Sequence, residues 1–270
     1  MRRVTKTKGY SLIELLIALA IAGLIGGAIF GVYKVSQDTY IRASSLEAAQ
    51  LGARAGLDRM ANELRLIGSY WVGASCALAD CNAITAASPT SITFRANVDD
   101  RSVINGAEAT NSSAATGTSV PLSISATATA DTFKVYANSA LNDYIYIANG
   151  GTREVKQINA INSNTLTLVS PGLNSFYPAD SLVRDVKTIT YTRNAAANTL
   201  TRAQGGSGAD PIVDNVTGLT FIYFDAAGGP LSATPPNPAV IREIQIDLTV
   251  QSPDGSARRM ITRVKPRSLP

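Results

Sequence analysis

Apolar positions divide the chain into stretches of different period. From Leu15 to Val32 they are nearly continuous, an uncharged run of 18 residues. At 1.5 Å per residue such a run spans about 27 Å, close to the hydrocarbon core of a bilayer. The period then changes. Leu46, Ala49, Ala53, Leu57, Met60, Leu64 and Ile67 recur at spacings of three and four. That spacing draws one apolar stripe along a helix. Arg54 and Asp58, and Arg59 and Glu63, form i,i+4 pairs of opposite charge beside the stripe. No proline interrupts residues 10–67, and Gly68 is placed to stop a helix. The pattern therefore predicts one continuous helix, roughly 58 residues and about 87 Å long.

From Ser91 onward the period shortens to two. SITFRA, FKVYA, YIYIA, EVKQINAI, TLTLV, VKTITYTR, LTFIYF, IREIQIDLTVQ and RMITRVK are rich in β-branched and aromatic residues and predict strands. Ile244, Ile246, Leu248 and Val250 alternate with polar residues, so one face of their strand is buried. Turns are marked by Asn149-Gly150-Gly151, Asn162-Ser163-Asn164 and Asp254-Gly255. Residues 107–119, 203–209 and 226–239 read as loops. Residues 131–184, with paired strands and short turns, form an expected inserted module with the character of a small barrel; a continuous part of one sheet is the alternative. The expected class is α+β, a long helix packed on an antiparallel β-rich head.

Composition and charge narrow the chemistry. The 270 residues carry 24 Lys and Arg against 20 Asp and Glu, a formal charge of +4. Arg2, Arg3, Lys6 and Lys8 supply that whole excess. The remainder has no net charge to hold phosphates, so no nucleic acid is an expected partner. The chain has no histidine, which removes any Ser-His-Asp or Cys-His catalytic site. The carboxylates Asp99-Asp100, Asp143, Asp180 and Asp185 show no catalytic or calcium-loop spacing. They are expected as solvated loop acids. The expectation is a protein that is not an enzyme and has no cofactor.

The basic residues precede the apolar run, and positive-inside bias puts the N-terminus in the cytoplasm and the head outside. The run continues as a helix and shows no small-x-small cleavage site in a plain loop, so it does not read as a secretory signal peptide. Cys76 and Cys81 then face an oxidising compartment, which favours a disulfide between them over a metal pair. Glu14 stands at the front of the apolar run. A carboxylate in lipid costs at least about 2.5–3.5 kcal/mol at the centre of a membrane helix, so it requires the edge or a partner. Capping its own helix is one role. Gly23, Gly26, Gly27 and Gly31 soften the same segment; close helix packing, local unwinding and ordinary membrane glycines are all open.

The basic leader ending in Gly9, followed by YSLIELLIALAIAGLIG, resembles the type IV pilin superfamily. The resemblance implies cleavage between Gly9 and Tyr10 by a membrane-embedded prepilin peptidase and methylation of the new N-terminus at Tyr10. It makes Glu14 the fifth mature residue, which pairs with a neighbouring subunit's N-terminal amine during assembly. Tyr10 departs from the more frequent phenylalanine but remains large and aromatic. The implied parts are a leader (1–9), a transmembrane or filament-core helix (10–33), an amphipathic helix (34–68) and a β-rich head (69–270). LDRMANELRLIGSYW, at the end of the helix, is similar to PilW-type minor pilins, with J-type pseudopilins of type II secretion next. The expected function is that of a minor pilin that initiates a pilus or sits at its tip. A secretion pseudopilin and a tip adhesin with an unknown surface ligand are the alternatives. Expected partners are the peptidase, other minor and major pilins, and the inner membrane before assembly.

Overall fold

The computed structural model describes residues 11–71, 82–99, 108–111, 121–124, 133–162, 165–170, 172–175, 177, 181–252 and 255–269. Helix α1 runs from Leu12 to Arg65, 54 residues, or about 81 Å. Its apolar stripe is buried where it meets the head: Ala53, Leu57, Met60 and Leu64 are buried, and Leu46 and Ala49 are half-buried. The helix ends at Arg65 rather than continuing through Ile67. The chain tightens there, with Ile67 N–H donating to the Leu64 carbonyl and Ser69 N–H to that of Leu66. Gly68 turns its N–H to the carbonyl of Arg95 at φ +78°. The helix thus stops where a strand carbonyl takes the next donor.

The strands are β1 (Ile84–Ala87), β2 (Ser91–Ala96), β3 (Glu108–Asn111), β4 (Pro121–Ile124), β5 (Tyr144–Asn149), β6 (Thr152–Asn162), β7 (Thr165–Leu168), β8 (Ser181–Asn194), β9 (Thr199–Gln204), β10 (Asp210–Val213), β11 (Val216–Phe224), β12 (Glu243–Gln251) and β13 (Ala257–Val264). All described pairings are antiparallel. Architecture and class are those expected from the sequence: one long helix on an antiparallel head.

Among the described residues, three sheet regions share the work. β11, β12 and β13 form one, with α1 lying against β12 and β13. The inward residues Ile244, Ile246, Leu248 and Val250 are all buried, as their alternation predicts. The other two are joined through the 14-residue strand β8. Its first half pairs with β3 and β5, and the ring β8-β3-β4-β7-β6-β5-β8 closes into a barrel. Its second half pairs with β2 and β9, in the order β1-β2-β8-β9-β10. The crossing is sharp. Val186 is opposite Tyr144 of β5, and Lys187 is opposite Ala96 of β2.

Two apolar cores follow from this division. The larger joins the inner face of α1 to the two open sheets and includes Phe94, Tyr191, Phe221 and Tyr223. The smaller fills the barrel with Phe133, Ile145, Ile147, Leu166, Tyr177 and Val183 among others. The barrel takes in β3 and β4, which lie upstream of residue 131.

Two local expectations change. FKVYA is not a strand. Phe133 enters the barrel core, but the amides beyond it are satisfied by side chains. Lys134 N–H donates to Asp143 Oδ2 at 2.9 Å and Tyr136 N–H to Asn142 Oδ1 at 2.7 Å. Strand β3 falls inside the expected loop 107–119, and β9 extends through Gln204 into the expected loop 203–209. The hairpin turn at Gly150-Gly151 joins β5 to β6 as expected, with Gly150 at φ +56°.

Candidate functional site

The first site is the free half of α1. Ser11 is the extended residue before the helix, and its carbonyl accepts from the N–H groups of Glu14 and Leu15. Its side chain makes no cap, and Glu14 is the acidic residue of the first turn. The orphan N–H groups there favour a negative charge. Glu14 is exposed, as are all the apolar side chains that follow it up to Val35. This helix contains an 18-residue window of mean hydropathy 2.5, none of it buried in the protein, and is long and apolar enough to cross a membrane. Burying one large aliphatic side chain is worth roughly 1.5–3 kcal/mol. A bare stripe of this length needs lipid or other chains around it. Gly9 and Tyr10, the expected processing site, lie outside the described residues, as do Cys76 and Cys81.

The second site was not legible as one. Asp143 and Asp185, expected as solvated loop acids, are fully buried. Asp185 belongs to β8, and Asp143 immediately precedes β5. Asp100 and Asp180 lie outside the described residues. Asp185 Oδ1 accepts from Asn97 Nδ2 at 2.7 Å, and its Oδ2 lies 3.2 Å from Lys187 Nζ. Lys187, itself buried, also pairs with Asp99, whose side chain is a third exposed. Asp143 Oδ1 has no hydrogen-bond partner among the described residues.

Burial raises the Asp143 carboxyl to about 7, against a smaller downward pull from Lys187 and the Lys134 amide. Burial likewise raises Asp185 to about 6, partly offset by Lys187. Burial alone would lower Lys187, but the carboxylates of Asp185, Asp99 and Asp143 outweigh it and hold the ammonium charged. Chemically, the cluster can take up and release protons near neutrality. The one signal in the sequence was the i,i+2 pair Asp185 and Lys187, which places both side chains on one face of a strand.

A third feature is a shallow polar recess of about 350 Å³ on the barrel, lined by Gly151, Thr152, Arg153, Glu154, Asn174 and Ser175. Glu154 is buried and accepts from the amides of Asn174 and Ser175, both at 2.8 Å, and from the Tyr177 hydroxyl at 3.3 Å. Its lone pairs are thereby committed to holding Asn174, Ser175 and Tyr177 on the barrel. No group of three or more Asp, Glu, Cys or His among the described residues is arranged to hold a metal ion.

Residues 5–30 match the prokaryotic N-terminal methylation motif. No curated protein and no solved structure matches the chain. The motif covers the basic leader and the start of the bare apolar helix, with Glu14 within it. It implies processing by a prepilin peptidase and assembly with other pilins, and it fits a membrane-anchored structural protein rather than an enzyme. A prepilin-type signal, an uncovered apolar helix and an antiparallel β head on its far end together support a type IV pilin-like protein, either a pilin or a pseudopilin.

Proposed function

We propose that this protein is a minor pilin of a type IV pilus that acts in assembly initiation or at the tip. The carrying observation is the bare apolar half of α1 with a single carboxylate, Glu14, in its first turn. After cleavage between Gly9 and Tyr10, the methylated amine of Tyr10 lies one turn from Glu14. In lipid the carboxylate lacks a partner, and a neighbouring subunit's N-terminal amine supplies one. Before assembly the subunit spans the inner membrane once, N-terminus inside and head outside, where Cys76 and Cys81 form a disulfide. Its partners are the peptidase and other minor and major pilins.

The barrel, with its own apolar core, favours a second role for the same subunit. We take it as the module inserted into the pilin head, presented by the helix and the open sheets. A large module at the tip is free of the packing that constrains a bulk filament subunit. A pseudopilin of a secretion system is the alternative assembly.

The test is Glu14→Leu in a strain lacking the native copy. The substitution removes a charge from lipid, so anchoring is undisturbed or improved. The variant should be processed and accumulate normally yet give few surface filaments, with Glu14→Gln similar or milder. Wild-type filament yield from Glu14→Leu would sink the assembly role of this carboxylate.

A further inference from the structure

The barrel is attached to the rest of the head at a joint that has a chargeable centre. Strand β8 passes from barrel to open sheet between Val186 and Lys187. On the barrel side, the segment 133–143 folds back over this crossing. On the other side stand Asn97 and Asp99, just past β2, and the end of β9 with Gly205-Gly206.

Two contacts close the joint. The first is steric. The Tyr136 ring lies so close to Gly205 and Gly206 that a Cβ would come within 2.3 Å of its Cε2 at Gly205 and 2.7 Å of its Cβ at Gly206. Only glycine leaves room for that ring. The second is polar. Asp143 is tied to the folded-back segment by exchange with Lys134: Lys134 N–H donates to its carboxylate and its own N–H donates to the Lys134 carbonyl at 3.1 Å. Its other oxygen has no hydrogen-bond partner among the described residues.

The groups around Asp143 come from several elements, among them β6, whose Ile158 N–H donates to the Asp143 carbonyl and whose Lys156 is buried. Lys134 and Tyr136 belong to its own segment, Asp185 and Lys187 to β8, and Asp99, through Lys187, to the stretch after β2. The buried cations around it are already engaged: Lys187 is paired with Asp99 and Asp185, Lys156 of β6 lies 3.7 Å from Glu154, and Arg95 of β2 donates to the Asn82 carbonyl and the Tyr144 hydroxyl. Ionised Asp143 would therefore add a fully buried negative charge where the buried cations among the described residues are already paired. Burying such a charge is far costlier than burying the acid. Moving the segment outward would hydrate it.

We propose that this joint is a proton-operated latch, in which protonated Asp143 holds the barrel against the open sheets and ionised Asp143 releases it. The sign follows from the raised pKa of Asp143 in the closed form. A carboxyl held at about 7 when buried, against an ordinary 3.8 when open, favours closure fully at acid pH. That contribution fades as pH rises through about 7, and Asp185, held at about 6, acts in the same direction. The hinge is β8, whose covalent continuity keeps the barrel attached when the latch opens.

Hydrogen–deuterium exchange on the mature full chain in detergent micelles tests this, with protection corrected for the intrinsic pH dependence of exchange. Between pH 5 and pH 8, protection over residues 134–143 should fall at least about tenfold, the effect of a tenfold difference in the acidity constant between closed and open forms. Protection in β12 should hold. In Asp143→Asn the fall should shrink to the smaller part that Asp185 contributes. Gly206→Ala should unseat Tyr136 and lower protection at both pH values. If Asp143→Asn fails to fold, Asp185→Asn serves: it should keep a smaller fall, because Asp143 is intact. Equal protection at the two pH values in the wild type overturns the latch. So does a fall shared by β12, or one that persists undiminished in Asp143→Asn.

Discussion

Arg202 of β9 places its Nε 2.9 Å from Oε2 and 3.0 Å from Oε1 of Glu63 on α1. The Tyr191 hydroxyl of β8 donates to the same carboxylate at 2.9 Å. Glu63 had the look of a solvated i,i+4 partner of Arg59, and that contact exists at 3.3 Å. Its larger role is to clasp the helix to the open sheet from a nearly buried position. Glu63→Ala strands a guanidinium and a phenol together. We expect a loss of about 2–3 kcal/mol in head stability, read from denaturant midpoints, because unpaired buried polar groups carry their full desolvation cost. Arg59→Ala, which removes only the exposed partner, should cost under about 1 kcal/mol.

Gly56 and Gly52 lie one turn apart on α1 and should respond in opposite directions. A Cβ on Gly56 would fall 2.1 Å from Cγ2 of Val213 in β10, whereas one on Gly52 meets nothing within 4 Å. Gly52→Ala should stabilise the helix by up to about 1 kcal/mol. Gly56→Ala gains the same propensity but forces the helix off β10, at about 1–3 kcal/mol for overpacking. Melting temperatures should therefore rise for the first and fall for the second. A rise for both would mean that the helix slides freely over β10.

Asp247 on β12 pairs with Arg259 on β13, and this hydrogen bonding holds its carboxyl below the ordinary value. A depressed carboxylate contributes stability above its unfolded value of about 4 and loses it as pH falls through the folded value. Arg259→Gln should thus weaken the head modestly at pH 7, with a deficit that shrinks as pH falls toward 2. Thermal melts across that range measure it, and a deficit that persists undiminished at pH 2 would assign the effect to packing of the arginine stem.

Processing tests the leader independently of assembly. Gly9 is small enough for a peptidase to approach the bond to Tyr10, and Gly9→Val should leave the precursor uncut and anchored in the membrane. Mass spectrometry of the membrane fraction should find the wild-type N-terminus at Tyr10. Any other start would remove the proposed spacing between that amine and Glu14.

The helix was legible because its stripe needs only local periodicity: Ala53, Leu57, Met60 and Leu64 stand on one face whatever they pack against. The same holds for β12, whose alternating residues point inward in any antiparallel sheet. The leader was legible because a signal read by an enzyme must be local in sequence. β1, β3, β4, β9 and β10 were not seen as strands. They are four to six residues long, the same range as β2, β5 and β7, which were legible, but they carry fewer β-branched and aromatic residues than SITFRA, YIYIA and TLTLV and are held by the strands beside them. FKVYA had the residues of a strand, but the side chains of Asn142 and Asp143 took its amides. Above all, charge at Asp143 and Asp185 is decided by tertiary structure. An isolated aspartate in a sequence carries no sign of burial. Only the crossing of β8 from barrel to sheet, which buries both carboxyls and leaves Lys187 already paired, raises two ordinary carboxylates toward neutrality.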